Sequence, residues 1–242
     1  MRAAIDNVPT IVKELNKYGI VNKTLVNAIL ATIAKETNLK PIRELSYRNT
    51  AVSRLRFLFG DRLANYTDDF INNIKKNDIE FYDLVYGYKT NVGRSLGNVN
   101  VGDGYAYRGG GFNQLTFKNQ FKKIGDQIGV DLLTYPQKII NLDTAAAANA
   151  VYFINSFKRN KSAIVKKYGI DPLNIQPGAD PLTILKIAVN ANAGWGANKQ
   201  VVEWAYGEAL PHFDYFQGKR SGFIPLLIPI ALLTLAYITF KR

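Results

Sequence analysis

The chain has 242 residues, 47% of them hydrophobic, enough for one sizeable core or a core plus a small extra element. It has no Cys and a single His, His212, which excludes disulfides, thiol nucleophiles and Cys-based zinc sites and argues against Ser-His-Asp, Cys-His and HExxH chemistry, so catalysis would have to run on carboxylates. The 31 Lys and Arg against 19 Asp and Glu give a formal charge of +12, which favours a polyanionic partner or, equally, a solubilising basic surface; no long basic run with interleaved aromatics appears, so nucleic acid is not expected.

The first ten residues contain Arg2, Asp6 and Pro9 and no apolar core, so no secretory signal peptide is expected there. A helix is predicted over 8–18, stopped by Gly19. The next, over 22–35, has Asn22 as its cap and Leu25, Val26, Ile29, Leu30 and Ile33 at helical spacing. Carrying this stripe one turn further places Glu36 on the apolar face and points Lys35 away. Pro41 then breaks the chain into a polar loop holding Glu44, Ser46 and Tyr47.

Further helices are predicted over 52–59, 67–76, 79–86, 117–128, 143–156, 182–189 and 200–209, separated by Gly, Pro and Asn punctuation. Strand-like alternation is scarce, so the class is mainly α. The segment 90–111 carries seven glycines together with Tyr105, Tyr107 and Arg108, and reads as a long functional loop. An uncharged run over 223–240, preceded by Lys219 and Arg220 and closed by Lys241 and Arg242, predicts a C-terminal membrane anchor that orders the chain as a domain over 1–218 and an anchor over 219–242. Pro225 and Pro229 fall in the first half of that run, where a membrane span tolerates them better than a helix in water does.

A Glu on an apolar face is desolvated and keeps its proton near neutral pH, as an acid that protonates a leaving-group oxygen must. A Glu in a solvated loop stays ionised, as a base that activates water must. Glu36 and Glu44 fit these two roles; the plain alternative is that Glu36 merely ends its helix and reaches solvent.

Five blocks, AILATIAKETNLKPIRELSY (28–47), VSRLRFLFGDRL (52–63), FYDLVYG (81–87), GDGYAYRGGGFNQLT (102–116) and VNANAGWG (189–196), resemble the family 19 glycoside hydrolases, specifically their phage and bacterial endolysin branch. The resemblance implies a lysozyme-like, two-lobed helical fold with a central cleft, and an inverting hydrolysis in which Glu36 is the general acid and Glu44 the general base. It places Gln114 and Asn190 in the substrate cleft, and Ser46 and Tyr47 near the nucleophilic water or a sugar. Amides and hydroxyls suit N-acetylated sugars, and a Tyr ring such as Tyr107 stacks on a sugar face, although for Gln114, Tyr105 and Tyr107 a purely structural role is the competing explanation.

The implied substrate is the glycan strand of bacterial peptidoglycan, with no metal or cofactor; the predicted anchor, which the family does not account for, adds a location in a virion or host-cell membrane, with other virion proteins as possible partners. Chitin hydrolysis, lytic transglycosylation and a non-catalytic virion protein of the same fold remain open. Two departures stand out. Gly110 occupies a position where the family commonly has Arg, which implies a missing cationic contact, and Lys35 stands where many relatives have His.

Overall fold

The computed structural model describes residues 5–221, and the predicted anchor over 223–240 lies outside them. Among the described residues no helix is long and apolar enough to cross a membrane. The class is mainly α, with eleven helices and one two-stranded ribbon among those residues.

Helix α1 (Val8–Lys17) leads through Gly19 into α2 (Lys23–Thr37), which starts where the Asn22 side chain accepts the Leu25 N–H at 3.1 Å. Every residue of α2 from Leu25 to Thr37 is buried, so it is a core helix and not the one-sided stripe the periodicity predicts. Its polar side chains are therefore satisfied internally: Thr32 and Thr37 donate to the carbonyls of Ala28 and Ile33 at 2.8 and 3.1 Å, and Asn27 reaches the Phe216 carbonyl at 3.0 Å. The helix ends with Asn38 and Leu39 both left-handed, at φ of 52° and 59°. Asn tolerates that conformation; a buried Leu adopts it under strain, immediately beyond Glu36.

A second cluster is built from α3 (Val52–Phe59), α4 (Asp68–Ile74) and α5 (Asp78–Val85), whose aromatic residues Phe59, Phe81, Tyr82 and Tyr86 pack around Tyr47. The segment 90–111 is not one long loop. It contains α6 (Asn91–Ser95), α7 (Asp103–Ala106) and strand β2 (Gly110–Gly111), which pairs antiparallel with β1 (Ile42–Arg43) in the register Ile42 to Gly111. Its glycines serve close approach: a Cβ on Gly104 would lie 2.4 Å from the Tyr82 carbonyl oxygen. Asp83 fastens the segment by accepting the N–H groups of Gly102 and Gly104 at 2.6 and 2.9 Å.

Helix α8 (Lys118–Ile128) packs on α9 (Leu142–Tyr168), which runs three turns past its predicted end at 156 because Phe157 and Ile164 continue the buried face and Gly169 supplies the left-handed stop. Helix α10 (Pro181–Ala193) takes in Asn190 and Asn192, beyond the predicted 189. Helix α11 (Lys199–Phe216) continues through Pro211, past the predicted 209, and buries Phe213. Both α10 and α11 pack on α2 and enclose it, with α1 on a further side.

Candidate active site

Glu36 lies in the last turn of α2, and it is buried rather than solvated at a helix end. Lys35, predicted to point away, is equally buried and forms an ion pair with Glu36 Oε1. A charge removed from water needs a partner, and the adjacent ammonium is that partner for the carboxylate. The Lys35 ammonium in turn sits 5.2 Å from the centre of the Trp204 ring, a cation–π contact.

Glu36 Oε1 also accepts a hydrogen bond from Asn192 Nδ2 at 3.1 Å. Asn113 Nδ2 donates to Asn192 Oδ1 at 2.8 Å, and the Tyr152 hydroxyl donates to the Asn192 carbonyl at 3.1 Å. Burial, together with the nearby Glu36 charge, pushes the Tyr152 phenol up to about 12 against the opposing pull of Arg159. This relay of amides from α2 through α10 to the β2 turn is absent from the sequence expectations. The predicted Asn190 faces elsewhere: residues two apart on a helix differ by about 200° in direction, and Asn190 Nδ2 bonds the Lys186 carbonyl at 2.8 Å and the Tyr168 hydroxyl at 3.3 Å. The signal available in VNANAGWG was the second Asn, one helix face away from the first.

Glu44 follows β1 directly, and its N–H donates to the Gly109 carbonyl at 2.8 Å. It is not a solvated loop carboxylate. It is buried, and desolvation raises its pKa above the usual 4.5. Three donors oppose that rise: the Tyr47 hydroxyl at 2.5 Å and the Tyr86 hydroxyl at 3.0 Å, both on Oε1, and the Gly109 N–H at 3.0 Å on Oε2. The charge of Arg108, whose Nε donates to the Glu44 carbonyl at 3.1 Å, acts in the same sense. Burial also lifts the phenols of Tyr47 and Tyr86 well above their ordinary value, so both stay protonated and able to donate.

The other predicted contacts divide. Ser46 is exposed and donates to Asp78 Oδ1 at 2.6 Å. Tyr47 reaches Glu44, as above. Gln114, buried at a left-handed φ of 51°, donates to the Gly111 carbonyl at 3.1 Å and so closes its own turn, while its Oε1 lies 2.8 Å from where a Gly109 Cβ would stand. Tyr107 is buried against Phe121 and donates to the Leu133 carbonyl at 2.9 Å, the packing role rather than an open stacking platform.

Gly110, the position of the expected missing cation, lies beside a cation from another segment, Arg43. A Cβ on Gly110 would lie 3.1 Å from Arg43 Nη1 and 2.6 Å from Ile139 Cγ2, so the Arg43 guanidinium fills the space beside the glycine. Arg43 donates to the Ala106 carbonyl at 2.6 Å and to the Pro136 carbonyl at 3.3 Å; burial, reinforced by Arg108, lowers its pKa to about 10.

One short turn, residues 109–115, thus serves both acids: Gly109 bonds Glu44, and Asn113 bonds the amide that holds Glu36. Two buried carboxyls held by neutral donors and cations can donate, accept or relay protons. No protein-family model matches the chain, and no curated protein matches it either.

Proposed function

We propose that the chain is a glycoside hydrolase that cuts the glycan strand of bacterial peptidoglycan by general acid–base catalysis with Glu36 and Glu44. The observation that carries this reading is the pair of buried carboxyls tied to a single turn, in a helical fold whose central helix bears one of them. The motif resemblance adds a lysozyme-like, two-lobed architecture and an inverting mechanism. In it Glu36 protonates the glycosidic oxygen while Glu44 takes a proton from water on the opposite face of the sugar. The run over 223–240 would hold the enzyme at a virion or host membrane, placing the cut beside the bilayer.

The burial of Glu44 gives this mechanism a definite pH dependence. A base must be ionised, so with a raised pKa at Glu44 the rate climbs as pH rises through a value above the ordinary carboxylate range. The same observation favours a second reading, in which Glu44 is the proton donor and Glu36, ion-paired with Lys35, is the ionised partner. In that case the rate falls as pH rises through the Glu44 pKa.

The test is digestion of purified peptidoglycan by the full chain, by Glu36→Gln and by Glu44→Gln, with products read by mass spectrometry across pH. Hydrolysis yields reducing ends, and both variants lose at least about a hundredfold in rate. Anhydro-sugar products would replace the proposal with a transglycosylase. Full activity in Glu36→Gln would overturn it.

A further inference from the structure

The loop that carries Glu44, Ser46 and Tyr47 continues into Arg48 and Asn49, which form one wall of a broad, open pocket of about 700 Å³. The opposite wall is the C-terminal end of α4 and the residues after it: Asn72, Lys75 and Lys76. Three cations and two amides line it, and no carboxylate does.

Two of the cations are held in place by neutral groups. Lys75 Nζ donates to the Thr50 carbonyl at 2.8 Å, and Arg48 Nη2 donates to the Lys76 carbonyl at 2.8 Å. Among the described residues none of the three forms an ion pair. Asp68 pairs with Arg56 at 2.6 Å, Asp78 accepts from Ser46 at 2.6 Å and Glu80 accepts from Asn77 at 2.9 Å, and none of these carboxylates lines the pocket. Like charges gathered with no carboxylate between them repel one another, and surfaces usually intersperse the two signs. Here two of the three are fixed by carbonyls, so ordering an anion between them costs little further side-chain entropy.

We propose that this pocket is an anion subsite that takes carboxylates of the peptidoglycan strand, those of its muramyl peptides, and so selects an acidic wall glycan over neutral chitin. The inference rests on the hydrolase reading above, since it assigns the pocket to the same substrate. The placement fits: Arg48 is four residues from Glu44, and the intervening Tyr47 bonds the Glu44 carboxyl directly. Asn49 and Asn72 supply amide donors to the same bound group.

The experiment measures binding separately from cleavage. The full chain carrying Glu36→Gln is titrated against insoluble peptidoglycan stripped of phosphate polymers, against the same material with its carboxyls converted to neutral amides, and against chitin. Binding to the untreated wall is expected to exceed binding to the amidated wall and to weaken with added salt. Adding Arg48→Gln, Lys75→Gln and Lys76→Gln removes three charge contacts and lowers affinity for the untreated wall by about tenfold at low salt. Lys76→Glu alone, which breaks no internal hydrogen bond, weakens it in the same direction. Lys123→Glu, an exposed charge on α8, leaves it unchanged and controls for net charge.

Equal binding to amidated and untreated walls, or unchanged binding by Lys76→Glu and the triple variant, overturns the subsite. So does binding that disappears when phosphate polymers are stripped, which would assign the cations to phosphate. Failure of the hydrolase reading looks different: the unmodified chain would release no glycan fragments while the charge-dependent binding persisted.

Discussion

Tyr47→Phe isolates the hydrogen bond to Glu44, because it deletes one oxygen from a ring packed against Phe59, Phe81 and Tyr82 and leaves the ring itself. In the unsubstituted chain the folded pKa of Glu44 lies above the unfolded value near 4.5. The group's contribution is therefore fully present below pH 4.5 and is lost as pH rises through the folded pKa, at about 1.4 kcal/mol for each tenfold difference in proton affinity between the folded and unfolded chain. A hydrogen bond to a neutral carboxyl contributes about 0.5–1.5 kcal/mol and one to a carboxylate about 1.5–3. Tyr47→Phe should then cost about 1 kcal/mol at pH 4 and about 2 kcal/mol once Glu44 ionises, which makes the carboxyl hold its proton roughly fivefold more tightly. Urea unfolding followed by far-ultraviolet circular dichroism between pH 4 and pH 9 reads both numbers. Tyr82→Phe is the control, since its hydroxyl donates at 2.7 Å to the neutral Leu45 carbonyl and its loss should not depend on pH. A Tyr47→Phe penalty that is flat across pH, or larger at pH 4, would refute the reasoning.

Gly104→Ala brings a methyl group to 2.4 Å from the Tyr82 carbonyl oxygen, which is backbone and cannot step aside, so α7 must separate from α5. A loss of about 3 kcal/mol is expected in the same unfolding assay, and a loss below about 1 would show that the two segments part at little cost. Asn149 is 1% exposed, and among the described residues neither polar atom of its side chain has a hydrogen-bond partner, in surroundings that include Phe112, Leu115, Ile139, Ala145 and Ala148. Asn149→Leu should be neutral or raise stability by about 1–2 kcal/mol; a loss of that size would mean that the amide is satisfied in solution.

Local signals were enough for some helix boundaries. α3 begins and ends at the predicted residues 52 and 59, and Asn22 caps α2 as its sequence suggests. What periodicity misjudged was context. Lys35 reads as a solvent-facing residue on a helix wheel, yet α10 and α11, encoded more than 140 residues later, cover that side and turn it into the partner of Glu36. Glu44 likewise sits in a polar stretch of sequence, and its burial is produced by Tyr86 and Gly109 from two other segments. The Gly-rich stretch looked unstructured because its order comes from Asp83 and from close backbone contacts that glycine permits but no pattern announces. In the VNANAGWG block the resemblance pointed to Asn190, whereas α10 runs on to Ala193 and brings Asn192 to Glu36; a helix end is the least legible property of a helix in sequence.

The enclosure of α2 sets the timing of site assembly. The bond from Asn192 to Glu36 spans 156 residues and that from Asn27 to Phe216 spans 189, so the surroundings of the acid close only when the C-terminal helices arrive. At about 5–20 residues per second, Asn192 is synthesised about 8–30 s after Glu36. Throughout that interval α2 lacks the helices that cover it, so the nascent chain carries exposed apolar surface and a carboxyl without its amide holder. The surroundings of Glu36 are thus completed only by the C-terminal helices, and a polypeptide interrupted before α11 leaves the side of α2 that α11 covers without its packing partner.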